Sequence, residues 1–514
     1  MKTSYIHFFE QTAEAYASKV AVVDGEKRWT FSVVNENAVK IAAAVLDVAG
    51  DTRNKPFSVY MKKSANTVVS DIGIMYTGNA FMNLDIKTPV ERIEAILSHT
   101  EPLGIIADKA NEARIRPVAE KLGLQLLIAE EIIEAGVYDE TVVETCHKRL
   151  ELNIDTDPSC IINTSGSTGI PKGVILNHKS FFDFLDWSIE TFDLDDKVNM
   201  GSLSPSVFDI FVYEIWLMAF KGITITLLDE NMSMFPAKLL EQMQRENVTF
   251  IFWVPSIMVN IANMDLLSKI ELPELKLVWF AGEVFPTKQF NYWRKMLPQT
   301  KFANLYGPIE ITLDCTFYVV EREFEDSEPL PIGYPCRNTD VLILNENDEV
   351  CKPGEEGELC VRGTSLAMGY YKNPEKTAAA FTQNPLNKDY PELIYRTGDV
   401  VYLNELGEIA FKGRKDSLIK HMGYRIELGE IEHAIINKLK IVEYCCVVYN
   451  KQKKEITLIY ESDEDIDPGV FRKQLMTLFP KYMMPVKYIR KDLLPRNTNG
   501  KIDRNKLSEE VNQQ

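Results

Sequence analysis

The sequence predicts an α/β fold: a large composite N-terminal lobe of α/β subdomains plus a β-rich subdomain, then a small α+β C-terminal lobe. Three observations lead there. Short apolar runs alternate with helix-spaced stretches, as sheets joined by crossover helices require. From about residue 331 the texture changes to Gly-rich, short-strand segments. At residues 413–420 a charged, Gly-flanked connection introduces a last βα-like piece of about 100 residues. The lobes then divide as 1–415 and 416–514.

The elements follow in order. Residues 36–49 (ENAVKIAAAVLDVA) combine helical spacing with good helix formers. Apolar runs of strand length stand at Phe57–Tyr60, Gly104–Ala107 and Leu124–Ile128. Between them lie helical stretches such as Pro89–Ser98, where Pro89 suits a first turn. Further buried strands are expected at Cys160–Asn163, Ile223–Leu228, Phe250–Val254 and Leu277–Phe280. The chain shows no internal repeat and no low-complexity tract.

Composition excludes several classes. With 514 residues and 45% hydrophobic content, wholesale disorder is ruled out. The net charge of -18 argues against a general nucleic-acid or anionic-membrane binder. The charge is unevenly spread: 416–514 carries a net of +2 and the remainder -20. A basic run from Lys481 to Lys506 reads as a solvated face or as a docking face for an acidic partner. The eight cysteines form no C-x-x-C pair, and adjacent Cys445 and Cys446 read as buried strand. Glu10 and Glu14 interrupt any signal-peptide core, and Lys221 breaks the apolar stretch Ile215–Leu228. A cytoplasmic, soluble protein without membrane insertion is expected.

The strongest local signal is Thr164-Ser165-Gly166-Ser167-Thr168-Gly169-Ile170-Pro171-Lys172-Gly173. A buried strand feeds a loop of glycines and hydroxyl residues closed by a lysine. Such a loop brings backbone N–H groups, hydroxyl donors and a positive charge to phosphate oxygens. The Walker A pattern cannot be fitted to it. This segment resembles the phosphate loop of the adenylate-forming enzymes: acyl-CoA synthetases, firefly-type luciferases and nonribosomal peptide synthetase adenylation domains. Further segments match in the same order. They are Asn304-Leu305-Tyr306-Gly307-Pro308-Ile309-Glu310, Gly357-Glu358-Leu359, Tyr395-Arg396-Thr397-Gly398-Asp399, Gly413-Arg414-Lys415-Asp416, Phe479-Pro480-Lys481-Tyr482-Met483-Met484-Pro485 and Asn499-Gly500-Lys501-Ile502-Asp503-Arg504.

The resemblance implies roles. ATP is the nucleotide, bound by Thr164, Ser165, Gly166, Ser167, Thr168, Gly169, Lys172, Asn304 and Gly307. Tyr306 stacks on adenine, Asp399 accepts from the ribose hydroxyls, and Arg414 reaches the same ribose. Glu310 holds Mg²⁺, a hard cation that bridges phosphates. Lys501 is the catalytic cation, offsetting the charge that builds as a carboxylate attacks the α-phosphorus. Asp416 falls at the hinge about which the small lobe turns between half-reactions.

Substrate class rests on Val207-Phe208-Asp209-Ile210. In amino-acid-activating members an Asp in this context pairs with the substrate ammonium, and a carboxylate in an apolar pocket needs such a cation. The competing reading is Asp209 as the N-cap of a helix over Ile210–Phe220. By the same resemblance the pocket includes Tyr213, Trp253, Trp279, Ala281, Leu305, Leu313 and Asp314. Two tryptophans suggest a small or flat side chain, whereas Asp314 would favour a polar or basic one.

Among single-domain members the chain is most similar to the D-alanine–carrier protein ligases, through its length and Ala281-Gly282-Glu283-Val284-Phe285-Pro286. Those ligases typically have Cys at the position of Ala281. Ile309 replaces the usual Thr before the metal Glu, and Tyr76-Thr77-Gly78 replaces Lys-Ala-Gly. The expected activity is ATP-dependent formation of an aminoacyl-adenylate and transfer to the phosphopantetheine thiol of a separate carrier protein. An acyl- or aryl-CoA synthetase and a non-catalytic nucleotide-binding protein of the same fold are the alternatives.

Overall fold

The computed structural model describes residues 2–164, 171–414, 418–496 and 502–513. They divide into two compact units, within Met1–Asp85, Glu101–Ile162 and Val174–Gly413 for the first, and Ile86–Thr100, Asn163–Gly173 and Arg414–Gln514 for the second. Mixed α/β architecture with several sheets is what the alternating pattern predicts.

Two large sheets organise the first unit. The nine-stranded sheet runs Tyr334–Pro335, Thr316–Val319, Lys301–Tyr306, Leu277–Phe280, Phe250–Trp253, Asn199–Ser202, Thr224–Leu227, Val20–Asp24 and Lys27–Thr30. Its central strands are parallel, with Phe252 opposite Trp279 and Trp279 opposite Ala303. The seven-stranded sheet runs Gly369–Tyr370, Lys172–Asn177, Pro158–Thr164, Ala80–Asn83, Pro56–Tyr60, Gly104–Ala107 and Gln125–Ile128. Strands buried on both faces carry unbroken apolar runs, which is why they were visible without alternation. Beyond residue 331 an antiparallel five-stranded sheet forms from Thr339–Leu344, Gly357–Gly363, Leu393–Leu403, Phe381–Gln383 and Ile409–Arg414.

The predicted helix over 36–49 extends to Phe31–Ala49, because Thr30 caps it through Val33 N at 3.4 Å. It packs on Ala65–Tyr76 closely enough that a Cβ on Gly73 would lie 2.6 Å from Ile41. The helix after the Phe-Asp motif spans Asp209–Lys221 and is almost entirely buried.

In the second unit, Cys445–Asn450, Glu455–Glu461 and Lys487–Lys491 form a three-stranded sheet, with Leu418–His421 and Tyr424–Glu427 as a hairpin. Cys445 and Cys446 are buried in strand, as the apolar context predicts. The helix Val90–Thr100 belongs to this unit, where Arg92 meets buried Glu430 at 2.6 Å. Among the described residues no helix is long and apolar enough to cross a membrane.

Candidate active site

Asp209 is the first residue of its helix and half-buried. Phe208 occupies the N-cap position without a side-chain cap, so Asp209 is not the N-cap that the alternative reading required. Its Oδ1 accepts from Ile210 N at 3.0 Å, and a carboxylate in a first turn is favoured by the helix dipole. One turn on, Tyr213 is fully buried and stacks on Trp279, with centroids 5.6 Å apart and planes at 27°. Its phenol donates to Ser188 Oγ at 3.2 Å, and burial pushes its pKa up. Phe192 meets the Trp279 ring edge-on at 4.7 Å, and Phe250 and Phe252 do so at 4.9 and 5.3 Å.

The two expected pocket tryptophans do not face one another. Strand alternation puts Phe250, Phe252 and Trp279 in one core and Ile251, Trp253, Val278 and Phe280 in the other. Trp253 therefore packs on the opposite face of the sheet, its indole N–H donating to Gly201 O at 3.0 Å. The expected pocket included both residues, and the sheet gives them opposite faces. Ala281, Leu305 and Leu313 do share the core of Tyr213 and Trp279. Asp314 is buried next to Leu313, and its carbonyl accepts from Cys336 Sγ at 3.8 Å.

The Tyr306–Asp314 turn is tightly built. A Cβ on Gly307 would sit 2.2 Å from Leu313 O, and Cys315 N closes back on Tyr306 O at 2.8 Å. Thr312 and Leu313 have φ of 53° and 69°, uncommon for any side chain and strained for a β-branched one. The turn carries Glu310, fully buried, whose Oε1 accepts from the Tyr370 hydroxyl at 2.8 Å. Among the described residues no group of three or more His, Cys, Asp or Glu is placed to hold a metal ion. Glu310 thus offers a hard carboxylate oxygen, a donor that suits Mg²⁺ when substrate phosphates and water supply the rest.

Tyr306 donates its phenol to Asp399 Oδ2. Burial first, and then the Asp399 carboxylate, push the Tyr306 pKa well above its ordinary value, so the phenol stays protonated. Asp399 N is held by Thr397 Oγ1 at 3.0 Å. Asn304 is buried and donates to Pro331 O at 2.8 Å. In the second unit Thr164 is buried, its hydroxyl donating to Lys172 O at 3.4 Å, and Arg414 ends the strand Ile409–Arg414. The expected site residues Ser165, Gly166, Ser167, Thr168, Gly169, Asp416 and Lys501 lie outside the described residues.

Sequence reasoning missed Tyr370, since nothing in the spacing ties position 370 to 310. Arg490, Lys491, Arg496 and Arg504 are paired with Asp492, Glu510, Glu461 and Glu432 within their own unit. Lys481 remains exposed.

Residues 9–371 match the family described as AMP-binding enzyme. Zwittermicin A synthase ZmaJ of Bacillus cereus is 29% identical over 99% of this chain and 95% of its own length. Tyrocidine synthase 1 of Brevibacillus parabrevis is 29% identical over 98% of this chain, which spans 44% of that protein. For gramicidin S synthase 2 of Brevibacillus brevis the identity is 30% over 98% of this chain and 11% of that protein. The Vibrio cholerae adenylation domain AlmE, solved in complex with glycyl-adenosine-5'-phosphate, superposes with a TM-score of 0.84 at 20% identity, covering 100% of this chain and 98% of AlmE.

Proposed function

The chain belongs to the AMP-binding enzyme family of adenylate-forming, ATP-dependent ligases, and from that premise we propose that it activates an amino acid as the aminoacyl-adenylate and passes it to the phosphopantetheine thiol of a carrier protein. The observation that carries the amino-acid assignment is Asp209, a half-buried carboxylate one turn before the Tyr213–Trp279 stack. Such a carboxylate is favourable beside a substrate ammonium and unfavourable beside a neutral acid.

In this reading Tyr306 and Asp399 form the adenosine site, with Arg414 on the ribose and Lys172 among the phosphate ligands. Glu310, steadied by Tyr370, would hold Mg²⁺, which when bound supplies positive charge to the phosphates. Lys501 offsets charge at the α-phosphorus, and Asp416 serves as hinge between lobes 1–415 and 416–514. The relatives support the carrier step: one solved neighbour is an artificially fused adenylation–PCP di-domain from Klebsiella oxytoca.

The test is ATP–pyrophosphate exchange over a panel of the common L-amino acids, glycine, D-alanine, and fatty and aryl acids. Exchange dependent on an amino acid, with the amino-acid KM raised in Asp209→Asn, is expected. Exchange with aryl or fatty acids alone would replace the proposal with an acyl-CoA synthetase.

A further inference from the structure

The segment from Ser202 to Asp209 joins a buried strand to the helix that presents the proposed ammonium ligand. Its backbone enters the interior, where carbonyl groups need donors. Two buried side chains from elsewhere supply them. Lys63 Nζ donates to Ser202 O and to Ser204 O, both at 2.9 Å. Asn83 Nδ2 donates to Ser206 O at 3.1 Å. Alternate residues of the loop are thus fastened from one side, and Phe208 N closes a turn on Pro205 O at 3.1 Å.

Each arm is braced in turn. Lys63 is 8% exposed, and its charge acts on Glu214, which is fully buried on the same helix as Asp209 and has no hydrogen-bond partner among the described residues on either carboxylate oxygen. Burial raises the Glu214 pKa to about 7, opposed by Lys63 and the Ser202 hydroxyl. Asn83 also donates to Asp71 Oδ2 at 3.0 Å. Asp71 is fully buried, and that burial pushes its pKa well above the ordinary carboxylate range. A surface loop would meet the same carbonyls with water. A protein that spends a buried ammonium and a buried amide on three alternate carbonyls fixes the loop's path instead.

We infer that Lys63 and Asn83, with Glu214 as the counter-charge of Lys63, are positioning residues for amino-acid recognition: they hold the 202–208 backbone so that Asp209 meets the substrate ammonium. The inference rests on the reading of Asp209 given above. An ion pair's strength depends on separation and on a ligand held in place before binding, so loosening the loop weakens capture of the amino acid and leaves ATP capture alone.

The experiment measures KM for ATP and for the amino acid that gives the fastest exchange in the panel. Lys63→Met alone would strand Glu214 unpaired, so Lys63→Met/Glu214→Met, which removes both charges, is the decisive variant, with Asn83→Ala beside it and Lys63→Arg as the conservative rescue. Circular dichroism and thermal melting identify the folded variants. The expected result is an amino-acid KM raised about tenfold or more with ATP KM within about twofold, partial recovery in Lys63→Arg, and little further rise when the pair is removed in Asp209→Asn. Asp209→Asn with a raised amino-acid KM, alongside folded clamp variants with KM unchanged, overturns the positioning role alone. Asp209→Asn with unchanged KM overturns the reading of Asp209 and the inference with it.

Discussion

His178 gives the sharpest quantitative expectation, because burial dominates its charge state in the fold. It opens the helix His178–Phe192 and is fully enclosed, with the Trp216 ring 5.5 Å away and Tyr5 N donating to its Nδ1 at 3.3 Å. Burial, with a smaller push from His7, holds its pKa down to about 3. An unfolded chain restores the ordinary value of about 6.5. Stability from this group is therefore fully present above about pH 6.5 and declines as pH falls, because the unfolded chain binds a proton that the fold refuses. The slope is about 1.4 kcal/mol per pH unit, so by about pH 4.5 the loss is ~2.7 kcal/mol. That figure depends on the unfolded value alone while the folded value stays well below the pH of measurement. His178→Gln keeps an acceptor for Tyr5 N–H and removes the titration. Urea unfolding followed by tryptophan fluorescence, at about pH 7.5 and about pH 4.5, should show the parent losing ~2.7 kcal/mol more than the variant. Carboxylates that titrate over the same range are common to both proteins and cancel. Equal losses would refute the argument that His178 is held neutral.

Other outcomes are expected from the same geometry. Trp279→Ala, which removes the buried partner of Tyr213, should admit larger amino-acid side chains in the exchange assay while lowering stability by about 3–5 kcal/mol; an unchanged substrate range would separate Trp279 from the pocket. Tyr306→Phe should raise the KM for ATP and leave that for the amino acid alone, since its phenol is tied to Asp399; the reverse split would remove both from the nucleotide site. Lys501→Ala should slow adenylate formation by about 10²–10³ while sparing thioester formation from preformed adenylate; an equal fall in both would contradict separate geometries for the half-reactions. All eight cysteines are buried, and burial raises the thiol pKa of Cys146 and Cys446 to about 12. A charged thiol reagent should therefore leave the native protein unlabelled at neutral pH and reach all eight in denaturant, as mass spectrometry would show.

The strands Gly104–Ala107 and Leu277–Phe280 were legible to the residue, because uninterrupted apolar runs of four have few other uses in an α/β chain. The start of the helix Phe31–Ala49 was not, since Ser32, Val33, Val34 and Asn35 are weak helix formers and only the Thr30 cap and packing on Ala65–Tyr76 hold them. Motif residues announced Glu310, Tyr306 and Asp399 but neither Tyr370 nor the pairing of Tyr306 with Asp399. Tyr370 and Asp399 reach them from distant sequence positions, and hydrogen bonds across such separations leave no local period to read. Trp253 and Trp279 show the limit most clearly. Both stand in recognisable strands, yet which face each presents depends on the register between those strands, which neither sequence segment contains alone.

That register has a consequence for how the pocket can diversify. Because Trp279 and Ala281 alternate with Val278 and Phe280 along one strand, only every second position is free to follow a new substrate. The intervening residues answer to a different core. A single inserted or deleted residue would exchange the two sets and spoil both at once. Descendants of this sequence that acquire new substrates should therefore differ from it at odd positions along this strand, by replacement and not by change of length.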